Sequence, residues 1–466
     1  MQQTKKIVLA FYGDDFTGST DALEFLSRAG AKTVLFLENP TPELLSQFPD
    51  LDAVGVAGMT RAMAPEAMEL ELREAFQALQ KLQARHVHYK VCSTFDSSPE
   101  IGNIGTAIRT GTSVFNNRFT PILVAAPNLG RFSAFGNLFA RMGIGSQGAI
   151  YRLDRHPSMR KHPITPADES DLRVHLSKQI QVSMGLIDLV DLGKTSAAIK
   201  AKLEAEIDAG NTIIFFDALY ENQMQIIGEL MDGCVVNDTP LFSVGSSGIE
   251  KALGDFWTKN GQMTQRKDWE VVSESSPMLV LSGSVSPVTA SQINWALANG
   301  FEEVLIEVAA LEDENTTSLY CKQYQEKIVQ YLQKGKSVIV HTSKGPEDKR
   351  VEETKRFFKQ KGWDESMIRS QTAQQFGKIL GQSARGALDQ LPVERLIIAG
   401  GDTSSYVARE LGIKAVEMIA PVFTGAPMCR AFAPGSPVDQ IELNLKGGQV
   451  GDETYFVALQ KGQVKI

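Results

Sequence analysis

At 466 residues the chain is too long for one ordinary hydrophobic core, so two domains are expected. Its 43% hydrophobic and 22% charged residues suit a globular protein, and no apolar run approaches the roughly 20 residues that span a bilayer. A net charge of −8 and a pI near 5.5 argue against nucleic acid or an anionic membrane as the main partner. An anionic small molecule would need locally placed Arg and Lys. The four cysteines, Cys92, Cys234, Cys321 and Cys429, are scattered without C-x-x-C spacing, and the opening MQQTKK runs straight into a strand. Both features point to a reducing, cytoplasmic setting without signal peptide, disulfides or a zinc site.

Residues 7–12 (IVLAFY) form a short apolar run that reads as a buried strand. Gly13 ends it, followed by two adjacent carboxylates, Asp14 and Asp15, and then Phe16, Thr17, Gly18 and Ser19. Beyond Ser19, the spacing of Ala22, Leu23, Phe25, Leu26 and Ala29 predicts one apolar helix face, with Gly30 as C-cap and a strand over 32–37. Such a strand–loop–helix–strand unit implies a parallel sheet, whose carboxyl edge is where open α/β sheets bind ligands. An N-cap and turn glycines would explain one acid. Two adjacent acids at a helix N-terminus need a compensating cation or ligand, so the loop reads as a site for a polyhydroxylated or metal-bearing ligand.

Further strands are predicted over 53–58, 88–91 and 121–126, with a long amphipathic helix over 65–85. These strands end on Arg61, on a polar loop running from Lys90 through Ser93 and Thr94 to Asn103, and on Arg131. Two acids and three cations at one sheet edge are what a small acidic polyol requires. Residues 151–172 read as an ordered loop in which His156-Pro157 and His162-Pro163 make rigid turns. A helix over 168–179, strands over 212–217 and 241–244, and Gly245-Ser246-Ser247-Gly248, a phosphate nest or a tight turn, follow.

The polar stretch 258–277 reads as a linker, after which the alternation restarts with strands over 278–281, 303–308, 337–341 and 395–399. Two glycine and hydroxyl loops lie between a strand and a helix start: Ser282, Gly283, Ser284 and onward to Ser286, and Gly400, Gly401, Asp402, Thr403 and Ser404. Loops of this kind expose unpaired N–H groups and a positive dipole end, which suit phosphates. Asp402 is placed to hold a magnesium ion bridging those phosphates. Lys446, Gly447, Gly448, Gly451 and Asp452 supply a third cluster. The G-x-G-x-x-G at Gly143, Gly145 and Gly148 fails its context, because it follows a helical-looking segment (NLFARM) and precedes no helix. Gly193-Lys194-Thr195 lacks the first P-loop glycine, having Asp188 there. The adjacent acids also differ from the D-x-D-x-T of aspartyl-phosphate enzymes, whose two carboxylates face the same way. An acidic-polyol domain over 1–260 and a phosphate-binding domain over 275–466 together suggest phosphoryl transfer to a hydroxyl.

Taken in order, these motifs resemble the four-carbon acid sugar kinase family (DUF1537) over nearly the whole chain. The matching elements are D-D-F-T-G at Asp14 to Gly18, Lys90, Ser93, Thr94 and Gly102 to Gly105, and Pro127 to Arg131. In the second half they are Ser282 to Ser284, Gly400 to Ser404, and Lys446 to Gly451. Many members read K-x-D-S-T-L-R-G-N-I-G where this chain has Cys92 and a longer loop lacking that Arg, and Gly447, Gln449 and Val450 replace Ser, Asn and Phe in the last motif. The expected fold is α/β: two Rossmann-like domains with mainly parallel sheets and an interdomain cleft. The resemblance implies ATP with Mg2+ as phosphoryl donor and the C4 hydroxyl of threonate, erythronate or an oxo-tetronate as acceptor. Asp14 or Asp15 is then the base, and Thr17, Arg61, Lys90, Ser93, Thr94, Asn103 and Arg131 hold the acid. Ser282, Gly283, Ser284, Gly400, Gly401, Asp402, Thr403 and Gly448 hold the nucleotide. A sugar-acid phosphatase or aldolase, and a non-catalytic sugar-acid or nucleotide sensor, are the alternatives, and a homodimer is left open.

Overall fold

The computed structural model describes residues 6–142, 148–161, 165–236 and 239–463. The glycine pattern at 143–147 and the pair His162-Pro163 lie outside the described residues, as does the side chain of Asp402. The chain divides into two compact units, Met1–Lys267 and Asp268–Ile466.

The first unit contains β1 (Leu9–Gly13), β2 (Thr33–Phe36), β3 (Ala53–Ala57), β4 (His86–Lys90) and β5 (Thr120–Leu123). A small antiparallel sheet follows, made of β6 (Arg131–Ala134), β7 (Asn137–Arg141) and β8 (Ile150–Arg152), and then β9 (Met184–Ile187), β10 (Ile213–Phe216) and β11 (Leu241–Gly245). The main sheet of this unit runs β2-β3-β1-β4-β11-β5-β10-β9 and is parallel throughout. Every residue of β1, β3 and β4 is buried, as central parallel strands covered on both faces must be. Tyr12 and Tyr89 stack with centroids 6.3 Å apart, and Phe76 meets them edge-on at 6.5 and 6.1 Å. Burying apolar side chains of this size contributes about 1.5–3 kcal/mol each.

In the second unit β12 (Leu279–Ser282), β13 (Glu302–Leu305), β14 (Val338–His341), β15 (Arg395–Ala399), β16 (Ala415–Phe423), β17 (Ala426–Phe432) and β18 (Glu442–Lys446) follow the order β13-β14-β12-β15-β18-β17-β16. The first five in that order are parallel; β17 and β16 add an antiparallel edge.

Both units repeat one topological move. From β1 the chain goes out to β2, returns beside β1 as β3, and then crosses to the other flank of β1 as β4. From β12 it goes out to β13, returns as β14, and crosses to the other flank as β15. Where the strand order reverses, consecutive loops leave in opposite directions and a crevice opens at the carboxyl ends. Register places Gly13 beside Lys90 in the first unit and Ser282 beside Ala399 in the second.

Two expectations are corrected. The segment NLFARM, expected as helix, is mostly strand β7, with Leu138 and Ala140 inward and its neighbours half-exposed. Over so short a run the periods 2 and 3.6 are hard to separate, and the preceding Gly136, with φ +79°, turns the chain into a hairpin. The expected helix over 65–85 stops at Gln80. Strands β17 and β18 are further elements, beyond those the sequence predicts.

Candidate functional site

Four strand ends of the first unit bring Asp14 and Asp15, Arg61, Lys90 and Arg131 to the carboxyl edge of the sheet, and backbone hydrogen bonds lock the first three loops together. The Asp14 N–H donates to the Lys90 carbonyl at 2.9 Å, Gly58 N–H to Gly13 O at 2.9 Å, and Arg61 N–H to Asp14 O at 3.1 Å. On that frame Arg61 spans both acids. Its Nε and Nη2 donate to Asp14 Oδ2 and Oδ1 at 3.1 and 2.8 Å, while Nη1 and Nη2 donate to Asp15 Oδ2 and Oδ1 at 2.9 and 3.0 Å. This is the compensating cation that adjacent acids require, in the bidentate geometry that makes such pairs strong.

The two acids differ. Asp15 caps helix Phe16–Ala29, its Oδ1 accepting from Gly18 N at 2.9 Å and its Oδ2 from the Thr17 hydroxyl at 3.1 Å. Burial alone would raise its pKa, but Arg61, Lys90 and these donors outweigh that and hold it low. Asp14 is raised, because burial prevails over Arg61 and the Asp15 charge adds to it.

Lys90 is buried, and the charges of Asp21, Asp15 and Asp14 overcome the effect of burial and raise its pKa. Its nearest carboxylate is Asp21, with Nζ–Oδ2 at 3.9 Å. Gly18 faces this group closely: a Cβ there would come within 2.6 Å of Lys90 Nζ and would collide with Asp15. Arg131 is buried, and its Nη1 donates to the carbonyls of Leu129, Gly130 and Arg141 at 3.2–3.3 Å. Its Nε has no partner, and burial lowers its pKa. Asn103 is the N-cap of helix Ile104–Phe115; its Oδ1 accepts from Thr106 N at 2.7 Å and its Nδ2 donates to Pro99 O at 3.0 Å. Thr94 bonds to Cys92 Sγ at 3.0 Å, and Ser93 beside it is half-buried.

In the second unit the three predicted loops follow adjacent strands β12, β15 and β18, with Ser282, Ala399 and Lys446 in register. They touch: a Cβ on Gly283 would lie 2.5 Å from Thr403 Cβ, and one on Gly448 would lie 2.9 Å from Ser284 Oγ. Gly400 has φ +136° and is packed against Gly283 and Ser284, a conformation that glycine alone adopts readily. The two helix starts differ from each other, and only the second has the open donors expected of both. In the Ser282 loop the N–H groups of Ser284, Ser286 and Val288 are accepted by the hydroxyls of Ser282, Ser284 and Ser286 at 3.2–3.4 Å, so they are not open donors. Helix Asp402–Glu410 has no side-chain cap, and a Cβ on Gly401 would meet nothing within 4 Å. An uncapped helix start facing open space fits a nucleotide phosphate.

Three features of the two units go beyond the sequence expectations: two residues that the sequence did not single out, and the burial of Lys446. Ser343, beyond β14, donates to Ser284 O at 3.1 Å. Lys446 is fully buried, and its Nζ donates to Thr289 Oγ1 at 3.0 Å while Thr289 Oγ1 donates to Gly448 O at 3.0 Å. Burial lowers the Lys446 pKa to about 7. The third is Asp21: it lies one helical turn from Thr17, a spacing that places both on one helix face and that nothing else in the motif singles out.

Residues 9–253 match the family described as the sugar-binding N-terminal domain, and residues 279–456 match the nucleotide-binding C-terminal domain. The chain is 38% identical to a 3-oxo-isoapionate kinase of Paraburkholderia graminis, over 98% of this chain and 95% of that one. It is 30% identical to a 3-oxo-tetronate kinase of Salmonella typhimurium, over 96% and 97%. A solved structure from Salmonella typhimurium LT2, described as a tRNA synthase, superimposes with a TM-score of 0.74 at 27% identity, over 97% and 98%. That description is not shared by these two relatives, both of which are kinases. With both domain families matched in order over most of its length, the chain belongs to the four-carbon acid sugar kinase family (DUF1537), and it is a phosphotransferase.

Proposed function

We propose that the first unit binds a four-carbon or closely related 3-oxo sugar acid, that the second binds ATP with magnesium, and that the γ-phosphoryl group passes to the terminal C4 hydroxyl. The observation that carries this is the state of the cations around Asp14 and Asp15. Arg61 is committed to the two acids, whereas Lys90 meets no carboxylate closer than 3.9 Å and Arg131 Nε has no partner. A buried donor without a partner, as Arg131 Nε is, costs about 1–3 kcal/mol, which an incoming carboxylate or hydroxyl oxygen relieves.

Lys90 and Arg131 are therefore the partners for the acid's carboxylate and oxo group. Thr17, Ser93 and Thr94 provide hydroxyl contacts. Asp14 and Asp15, held by Arg61, accept hydrogen bonds from the acid's hydroxyls and fix its orientation, the contribution that phosphoryl transfer demands most. Asn103 acts by holding the loop after Lys90, since its Oδ1 caps the following helix and its Nδ2 donates to Pro99 O within that loop. At the second unit, the first-turn N–H groups after Gly401 hold phosphate oxygens, and Gly283, Gly400 and Gly448 let the backbone approach. Magnesium comes with the nucleotide, its charge shared with the phosphates and, in this assignment, with Asp402.

The relatives named above favour two acceptors, 3-oxo-tetronate and 3-oxo-isoapionate, over the non-oxidised acids. The test is incubation with magnesium–ATP and each acid, followed by phosphorus NMR of the product. A phosphate monoester coupled to two protons marks a terminal CH2–O–P and is the expected result. A monoester coupled to one proton would move the reaction to an internal hydroxyl, and no monoester with any of the acids would remove the proposed acceptor class.

A further inference from the structure

A side chain that takes a proton needs an available oxygen and a pKa near the working pH. All four carboxylate oxygens of Asp14 and Asp15 already accept from Arg61, and their side chains are only 3% and 7% exposed. Asp21 is different. It sits on helix Phe16–Ala29, one turn beyond Thr17, with its carboxylate 3.9 Å from Lys90 Nζ. Its side chain is 21% exposed, and among the described residues no hydrogen bond engages its oxygens.

The charges that face Asp21 come from every side of the site. Glu24 lies on its own helix, Asp15 on the loop after β1, Arg61 after β3, and Lys90 at the end of β4. Arg131, at the start of β6, feels Asp21 together with Cys92 and Asp96. Burial, reinforced by Glu24 and Asp15, outweighs Lys90 and Arg61 and raises the Asp21 pKa to about 7.

We propose that Asp21 is the proton acceptor for the hydroxyl that attacks the nucleoside triphosphate, with Lys90 keeping its carboxylate aimed at that hydroxyl. The proposal rests on the kinase reading above. In the step, the acceptor O–H bond breaks and its proton passes to an Asp21 oxygen. The hydroxyl oxygen bonds to the γ-phosphorus, while the bond from that phosphorus to the bridging oxygen breaks and the diphosphate leaves with the electron pair. Asp21 then returns its proton to solvent, and no atom changes oxidation state. Asp14, Asp15 and Arg61 remain an orienting group throughout.

The experiment is the pH profile of kcat/KM for the sugar acid from pH 5.5 to 9, for wild type, Asp21→Asn and Asp21→Glu. Magnesium–ATP is kept saturating so that titration of Lys446 does not enter. Wild-type kcat/KM is expected to rise tenfold per pH unit and level off above about 7. Asp21→Asn should lower it by about 10²–10⁴-fold and abolish the acid limb, while stabilisation of the fold by magnesium–ATP stays unchanged. An Asp21→Asn enzyme within threefold of wild type, or one that is slower but keeps a limb near pH 7, would overturn the assignment. If Asp21→Asn does not fold, Asp21→Glu decides: a displaced limb supports Asp21, and an unmoved limb refutes it. Wild-type protein inactive with every sugar acid fails the kinase reading and this proposal with it; an active enzyme with an Asp21-independent limb fails the proposal alone.

Discussion

In the first unit β1 and β4 part after Gly13 and Lys90; in the second β12 and β15 part after Ser282 and Ala399. At the first of these equivalent positions the loops and strand ends carry Asp14, Asp15, Arg61 and Lys90, with Asp21 on the helix that follows β1. At the second they carry glycines, serines and threonines, with an uncapped helix start at Gly401. The difference follows from what each must recognise. A small acid with several hydroxyls offers few atoms, so it is gripped by side chains of fixed charge. Those charges, once buried, must compensate one another before any ligand arrives. A triphosphate brings its own charge and needs close backbone approach, which glycine permits and fixed anions would oppose. The charged site should therefore fail when one charge is removed, and the backbone site when volume is added.

The largest effect is expected at Arg61. Arg61→Ala leaves two buried carboxylates facing each other, which should cost about 3–5 kcal/mol in urea unfolding and remove sugar-acid turnover. A loss under about 1 kcal/mol would show that the acids do not depend on that guanidinium. Next come two matched glycine substitutions. Gly18→Ala drives a methyl into Asp15 and Lys90, and Gly283→Ala drives one into Thr403. Strain of about 1–3 kcal/mol at each is roughly five- to 150-fold in affinity. Gly18→Ala should raise KM for the acid alone and Gly283→Ala KM for ATP alone; equal effects on both substrates would erase the division of labour. The smallest effect concerns Lys446. Its folded pKa, lowered by burial to about 7, lies below the unfolded value of about 10.4, so the unfolded chain binds more protons between those limits. The destabilisation is full below pH 7 and is relieved as pH rises through that window. Between pH 7 and 9 wild type should gain about 2 kcal/mol that Lys446→Met does not show.

The fold was legible in the alternation of apolar runs with helical patterns and in the loops that end the runs, because parallel strands buried on both faces leave a strong sequence signal. Gly13, Asp14, Asp15 and Gly18 were visible for the same reason: adjacent acids are too costly to be incidental. What escaped depends on pairing between distant segments. β7 was too short for its period to show, and Asp21 is an ordinary polar position of an amphipathic helix until Lys90 is brought beside it. Arg61 shows the same limit. Its presence at the edge was readable, but its commitment to both acids is a matter of two loops meeting across β1 and β3. The self-capping of the Ser282 loop is local, each hydroxyl accepting from the N–H two residues on, and it escaped because a serine that serves a phosphate and one that serves its own backbone read alike in sequence.

The most direct test of the whole account is ADP release coupled to a sugar acid, measured with magnesium–ATP against a panel containing threonate, erythronate, 3-oxo-tetronate and 3-oxo-isoapionate. The account predicts release that depends on the acid, at about 1–100 s⁻¹ with one preferred member. ADP release that is the same with and without every acid, or no release at all, would contradict it.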